Sequence, residues 1–189
     1  EGRALVCGCD EAGAGPLAGP VYAAAVILPI GEDIPGLDDS KKLTEKKREK
    51  LFPVIQERAL AWSVAWVDAG EIDETDILSA RMKAMQLAID GLAQAPDFAL
   101  IDGNRDRGRS ASIVTPHRCV VKGDSLSASI AAASVLAKVS RDRHMAEMAR
   151  QYPQYRFEQH KGYGTKLHYE LLRAYGPSPI HRRTFLKNL

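Results

Sequence analysis

Val6-Cys7-Gly8-Cys9-Asp10-Glu11-Ala12-Gly13-Ala14-Gly15-Pro16-Leu17-Ala18-Gly19-Pro20 is the stretch on which the reading of this chain turns. An apolar run ends in two adjacent carboxylates, and a turn of glycines, alanines and prolines follows at once. Leu5 to Cys9 reads as a first strand. Val21 to Leu28, bounded by Pro20 and Pro29, reads as a second, and the short connection suggests a hairpin-like pair. Side chains alternate between the faces of a strand. Where strand gives way to turn that alternation is expected to lapse, so that Asp10 and Glu11 address one spot. Gly13 and Gly15 let the backbone approach a ligand closely, or simply serve a tight turn.

The same arrangement recurs further along. Phe98-Ala99-Leu100-Ile101 ends in Asp102-Gly103-Asn104-Arg105, and Cys119-Val120-Val121 is followed by Lys122-Gly123-Asp124-Ser125. Asp10, Glu11, Asp102 and Asp124 thus stand at or just beyond the ends of three strands, and in a sheet such ends can converge at one edge. Carboxylates that close repel one another unless cations sit between them. An all-oxygen ligand set favours Mg²⁺ or Mn²⁺ over zinc. Two such ions about 4 Å apart activate water and steady the leaving oxygen of a phosphodiester. The residues therefore point to metal-dependent phosphoryl chemistry and leave the substrate open.

Around this framework, helices are expected from Thr44 to about Ala59, from Ile77 to about Leu92, from Leu126 to about Met148 and from Lys166 to Ala174. Thr44 is the expected N-cap of the first, and Pro53 is expected to kink or break it. A further strand, Leu60 to Val67, places Trp62, Val64 and Trp66 on one face. The first half of the long third helix is nearly all small residues and can lie very close to a sheet. Its Lys138, Arg141 and Arg143 are expected on a polar side.

The net charge is +2, but Gln154 to Leu189 carries seven Lys or Arg against two acids. That basic flank beside an acid-bearing body suits a polyanionic partner. Tyr155, Phe157 and His160-Lys161-Gly162-Tyr163-Gly164-Thr165 mix aromatics with cations, a combination that stacks on sugars or bases and contacts phosphates. Lys41, Lys42, Lys122 and Lys161 are candidate phosphate contacts, and Asn104 and Arg105 candidate substrate contacts. His160 and His181 are expected to touch phosphate, with His117, His144 and His168 at the surface or structural. Three cysteines make neither a disulfide framework nor a structural zinc site. No apolar run approaches the roughly 18 residues of a membrane span, and no signal peptide is read. A cytoplasmic monomer is expected.

Six ordered blocks strongly resemble bacterial ribonuclease HII (a type 2 ribonuclease H): 10–20, Asp39-Ser40-Lys41-Lys42-Leu43, 101–105, 122–125, 131–142 and 160–165. The resemblance implies an α/β ribonuclease H-like fold, a mixed five-stranded sheet flanked by helices. It implies one domain over residues 1–189, of which about 153–189 form a basic C-terminal helical part. It implies Asp10, Glu11, Asp102 and Asp124 as metal-binding catalytic acids. The implied activity cuts the RNA strand of RNA–DNA hybrids, and also cuts 5′ of single ribonucleotides in duplex DNA, leaving 3′-hydroxyl and 5′-phosphate ends. Tyr163 would stack on the deoxyribose after the ribonucleotide, and Gly13 to Gly15 would sense the 2′-hydroxyl through backbone groups. The family has Arg where this chain has Ala14, so weakened cleavage at single ribonucleotides is expected. The alternative is a protein that binds RNA–DNA junctions with impaired cutting. Protein partners are not specified.

Overall fold

The computed structural model describes residues 5–37 and 42–189. Its centre is a five-stranded sheet in the order β3-β2-β1-β4-β5. The strands are β1 (Val6–Ala12), β2 (Val21–Ile27), β3 (Ala61–Val67), β4 (Phe98–Asp102) and β5 (His117–Val120). β1 pairs antiparallel with β2 and parallel with β4, and β5 runs parallel to β4. The sheet is mixed because a short loop joins β1 to β2, whereas α-helical crossovers precede β4.

β1 runs three residues beyond the expected end, so Asp10 and Glu11 lie within the strand and the alternation does not lapse. Asp10 is opposite Ala24 and Glu11 opposite Ala23. Ala23 belongs with Cys7, Cys9 and Ala25 to the core beneath helix α3 (Ile77–Asp90). Ala24 belongs to the core on the other face, beneath α1 (Glu45–Arg58) and α5 (Ala128–Gln151). The two acids therefore leave opposite faces and meet only at the strand end.

The small-residue stretch of α5 lies against β1 as expected. A Cβ on Gly8 would sit 2.2 Å from the backbone carbon of Ser129 and 2.3 Å from the Ile130 nitrogen. Ala131, Ala132 and Ala133 continue that close contact and are all buried. Arg141, expected on the polar side, is instead 2 % exposed.

α1 begins as expected, with the Thr44 hydroxyl accepting from the Lys47 N–H. It passes through Pro53 without a break, because Phe52 and Ile55 anchor it to the core on either side of the proline. A short helix, α2 (Ala69–Glu74), follows β3, and α4 (Gly123–Leu126) precedes α5. β3 is an edge strand, and Trp62 and Trp66 are 40 % and 51 % exposed, with Trp66 stacked on Tyr22.

The C-terminal part contains α6 (Phe157–His160) and α7 (Lys166–Tyr175). It packs on the sheet's end through a third core of Leu17, Ala18, Met145, Tyr155, Phe157 and Leu172. It is also stitched to the loop after β1. The Leu17 N–H donates to Gly162, the Gly19 N–H to Ile180, and the Arg182 N–H to Leu17, each at 2.8 Å. Among the described residues no helix is long and apolar enough to cross a membrane.

Candidate active site

Asp10, Glu11 and Asp102 line one cavity of about 510 Å³, together with Gly13, Ala14, Gly15 and Tyr163. Strand ends supply the acids, the β1–β2 loop one wall, and the α6–α7 connection Tyr163. Asp10 is 6 % exposed. Its Oδ1 accepts from the Glu11 N–H at 2.8 Å, and Ser134 of α5 bonds its side chain. Burial, then the Glu11 carboxylate, then that of Asp102, push its carboxyl well above the usual range. Glu11 pairs through Oε1 with Arg81 of α3, while its Oε2 is buried with no hydrogen-bond partner among the described residues. That orphaned oxygen, beside a carboxyl raised by burial and by its acidic neighbours, fits a cation as the missing partner. The donors are all oxygen, which suits a hard divalent ion.

Asp102 ends β4, and its Oδ1 accepts from the Gly123 N–H at 2.8 Å. Asp124, the next residue, is buried in the first turn of α4 and lines a neighbouring cavity of about 250 Å³ rather than the first. Three of the four acids are thus brought onto one cavity, and the fourth stands one residue from a hydrogen bond to the third. Among the described residues, no three or more His, Cys, Asp or Glu side chains form a closed ligand group.

The expected lysine and loop contacts lie outside this wall. Lys42, Asn104, Arg105 and Lys122 are exposed, and Lys41 falls outside the described residues. Lys161 is half-buried, with Nζ 3.6 Å from Glu45. The cations that do line the cavity are Arg48 and Lys138, which the sequence reading missed as site residues. Lys138 had a signal, since it lies one helical turn beyond Ser134 on the same face of α5.

The histidines correct the phosphate reading. His160, His168 and His181 are 6 %, 0 % and 2 % exposed and form one internal cluster. The His160 and His168 rings stack at 4.1 Å, and the Nε2 atoms of His168 and His181 are 2.9 Å apart. Ser178 donates its N–H to His181 Nδ1, so His181 Nε2–H donates to His168, whose Nδ1–H donates to the Tyr163 carbonyl. This chain holds the backbone of a cavity residue. Burial pushes His168 down to about 4 and His181 down to about 3, so both are neutral at pH 7. The basic cluster at 181–183 is likewise partly internal, because Arg182 is fully buried.

A mixed sheet in this order, with carboxylates at the ends of two parallel central strands and helices on both faces, defines a ribonuclease H-fold nuclease. Structural comparison agrees. The ribonuclease H2 of Pyrococcus horikoshii superposes with a TM-score of 0.79 at 29% identity, covering 96% of this chain and 93% of that one. A ribonuclease HIII, Bst-RNase HIII in complex with Mn²⁺, shares the fold with a TM-score of 0.67 at 22% identity, over 93% of this chain and 64% of that one. The Ribonuclease HII family profile matches residues 7–188. The ribonuclease HII of Caldicellulosiruptor bescii is 53% identical over 189 residues, all of this chain and 90% of that protein. That of Idiomarina loihiensis is 54% identical over 181 residues, 96% of this chain and 95% of that protein. The chain belongs to the ribonuclease HII family, and it is an endoribonuclease of the ribonuclease H class.

Proposed function

We propose that this enzyme cuts the RNA strand of RNA–DNA hybrids and cuts 5′ of single ribonucleotides embedded in duplex DNA. In this reading Asp10, Glu11, Asp102 and Asp124 hold two divalent cations, Mg²⁺ or Mn²⁺. The observation that carries the reading is the shared cavity of Asp10, Glu11 and Asp102 with Tyr163 and the 13–15 loop. Carboxylates for phosphoryl chemistry there face elements suited to a sugar. The Mn²⁺ on the ribonuclease HIII of the same fold supports the metal.

Held by these acids, divalent cations would activate a water nucleophile and neutralise charge at the scissile phosphate. The protein's own groups set the acids in place. Ser134 fixes Asp10, Arg81 takes one oxygen of Glu11 and leaves the other free, and the Gly123 N–H orients Asp102. Lys138 and Arg48 add positive charge at the cavity wall for the phosphate backbone. Tyr163, 41 % exposed, offers its ring to the deoxyribose after the ribonucleotide. The loop from Gly13 to Gly15 offers peptide N–H groups to the 2′-hydroxyl. Lys42, Lys122, Asn104 and Arg105 are proposed as outlying substrate contacts, and the protein as a single-domain cytoplasmic monomer.

The test is cleavage of three duplexes: a continuous RNA–DNA hybrid, DNA with one ribonucleotide, and all DNA, each with Mg²⁺, Mn²⁺ or chelator. Cutting of the first two only, dependent on metal and leaving 5′-phosphate ends, is expected. Equal cutting of all-DNA duplex, or cutting in chelator, would refute the proposal.

A further inference from the structure

The loop that carries Gly13, Ala14 and Gly15 is held from behind by one side chain. Arg182 is 0 % exposed. Its Nη2 donates to the Gly13 carbonyl at 2.6 Å, its Nη1 to those of Ala14 and Pro16 at 2.9 Å each, and its Nε to that of Gly19 at 2.9 Å. Among the described residues no carboxylate forms an ion pair with it. A buried guanidinium without a counter-ion is expensive, and here it is offset by charge-assisted bonds to backbone alone. An apolar filling is expected to cost less stability, so the arrangement points to a role in setting the direction of those carbonyls.

The direction matters because a trans peptide points its C=O and the following N–H opposite ways. Carbonyls of Gly13 and Ala14 turned inward to Arg182 turn the N–H groups of Ala14 and Gly15 outward. Ala14 and Gly15 line the cavity, and among the described residues neither N–H has an acceptor. Gly13 has φ +89°, and a Cβ there would overlap the Arg141 side chain, so the loop has little room to choose another path. Arg141 braces the same loop further on, donating to the carbonyls of Ala18 and Pro20 and to that of Lys161. Among the described residues, only Arg182 donates hydrogen bonds to the Gly13 and Ala14 carbonyls.

We propose that Arg182 is a positioning residue for sugar discrimination: by holding the Gly13 and Ala14 carbonyls, it aims the Ala14 and Gly15 N–H groups at the 2′-oxygen of the substrate. This rests on the proposed cleavage at ribonucleotides. Arg182 touches no substrate, and its effect passes through the loop. Lysine cannot replace it, since an ammonium is a single point of donors and cannot span four carbonyls.

Two measurements test the assignment. In Arg182→Lys, checked for folding by circular dichroism and thermal melt, kcat on DNA with one ribonucleotide is expected to fall about tenfold to a hundredfold, as for a misplaced catalytic geometry. Affinity for the all-DNA duplex is expected to stay within about threefold. Activity within about threefold of wild type, or a loss no larger than the unfolded fraction, overturns the proposal. Hydrogen exchange on the wild-type protein covers the case of a variant that does not fold. The Ala14 and Gly15 amides are expected to slow when duplex with one ribonucleotide is added, with catalysis blocked by Ca²⁺, and not with the all-DNA duplex. Equal behaviour with both duplexes overturns it. If wild-type protein binds both duplexes alike and cuts neither, the cleavage reading has failed and this inference falls with it.

Discussion

The Gly123 N–H donates to Oδ1 of Asp102 at 2.8 Å, and this bond ties the end of β4 to the turn that carries Asp124. The residues are far apart in sequence, yet the bond fixes how near the fourth acid stands to the other three. It also uses only one oxygen of Asp102. The site is thus held by bonds to its acids: the Glu11 N–H and Ser134 on Asp10, Arg81 on one oxygen of Glu11, Gly123 on one oxygen of Asp102.

Ala14 lines the cavity with a side chain too short to reach a substrate phosphate, and an arginine is what the sequence resemblance leads one to expect there. A guanidinium introduced there is expected to add a charge-assisted bond worth roughly 1.5–3 kcal/mol. Ala14→Arg is therefore expected to raise kcat/KM on DNA with one ribonucleotide about ten- to a hundredfold, with a smaller gain on continuous hybrid. Steady-state kinetics on both substrates check this, and an unchanged rate on the first would refute it.

Tyr163 projects into the same cavity, with the Arg141 guanidinium 5.8 Å from its ring. Loss of a stacking ring is worth roughly 1–3 kcal/mol. Tyr163→Ala should lower kcat/KM about tenfold or more while the melting temperature changes little, because the side chain is half in solvent. Tyr163→Phe should retain most activity. A phenylalanine variant as poor as the alanine one would mean that the hydroxyl, not the ring, is what matters.

Gly8 lets α5 touch the central strand. A methyl group there would meet backbone atoms, which cannot swing aside as a side chain can. Overpacking of this kind destabilises by typically 1–3 kcal/mol and occasionally more, so Gly8→Ala should lower stability by about 3 kcal/mol. Urea unfolding measures it, and a midpoint unchanged from wild type would contradict the packing described here.

The linked histidines make the fold sensitive to mild acid. His168 and His181 have folded-state values of about 4 and about 3, below the ordinary 6.5. Between those values and 6.5 the unfolded chain binds more protons, so stability is complete above about pH 6.5 and falls as pH drops through the window. Each group gives a slope of at most about 1.4 kcal/mol per pH unit. Protonation also breaks the chain of bonds that ends on the Tyr163 carbonyl. Denaturant midpoints from pH 7 to pH 4 should fall in wild type, and fall less steeply in His168→Gln.

Much of this was legible in the sequence because it is local. An apolar run closing on a carboxylate and glycine appears three times, and three strands and the meeting of Asp10, Glu11 and Asp102 on one cavity followed from it. Thr44 capped its helix, and the alanines of α5 announced a close approach to the sheet. The arginines did not announce themselves. Arg182 sits in a run of cations that reads as a solvated patch, and what buries it is the pairing of the distant segments at Ala18 and His181. Arg141 carried a faint signal, lying between the buried Val139 and Met145 on the long helix. His160, His168 and His181 are separated along the chain and share no pattern, so only the packing of α6, α7 and the C-terminal segment brings them together. The fate of Asp10 and Glu11 was misjudged for a related reason. β2 continues to pair beyond Cys9, which keeps the strand regular through both acids.

The central claim is that the acids at the strand ends hold divalent cations and thereby carry the cleavage. It is tested most directly by incubating wild-type protein and Asp10→Asn side by side with a DNA duplex bearing one ribonucleotide, over a titration of Mg²⁺ or Mn²⁺. The account predicts metal-dependent cutting by wild type and a loss of about a hundredfold or more in the variant, whose fold and duplex affinity persist. Undiminished cutting by a folded Asp10→Asn protein, at any metal concentration, would contradict it.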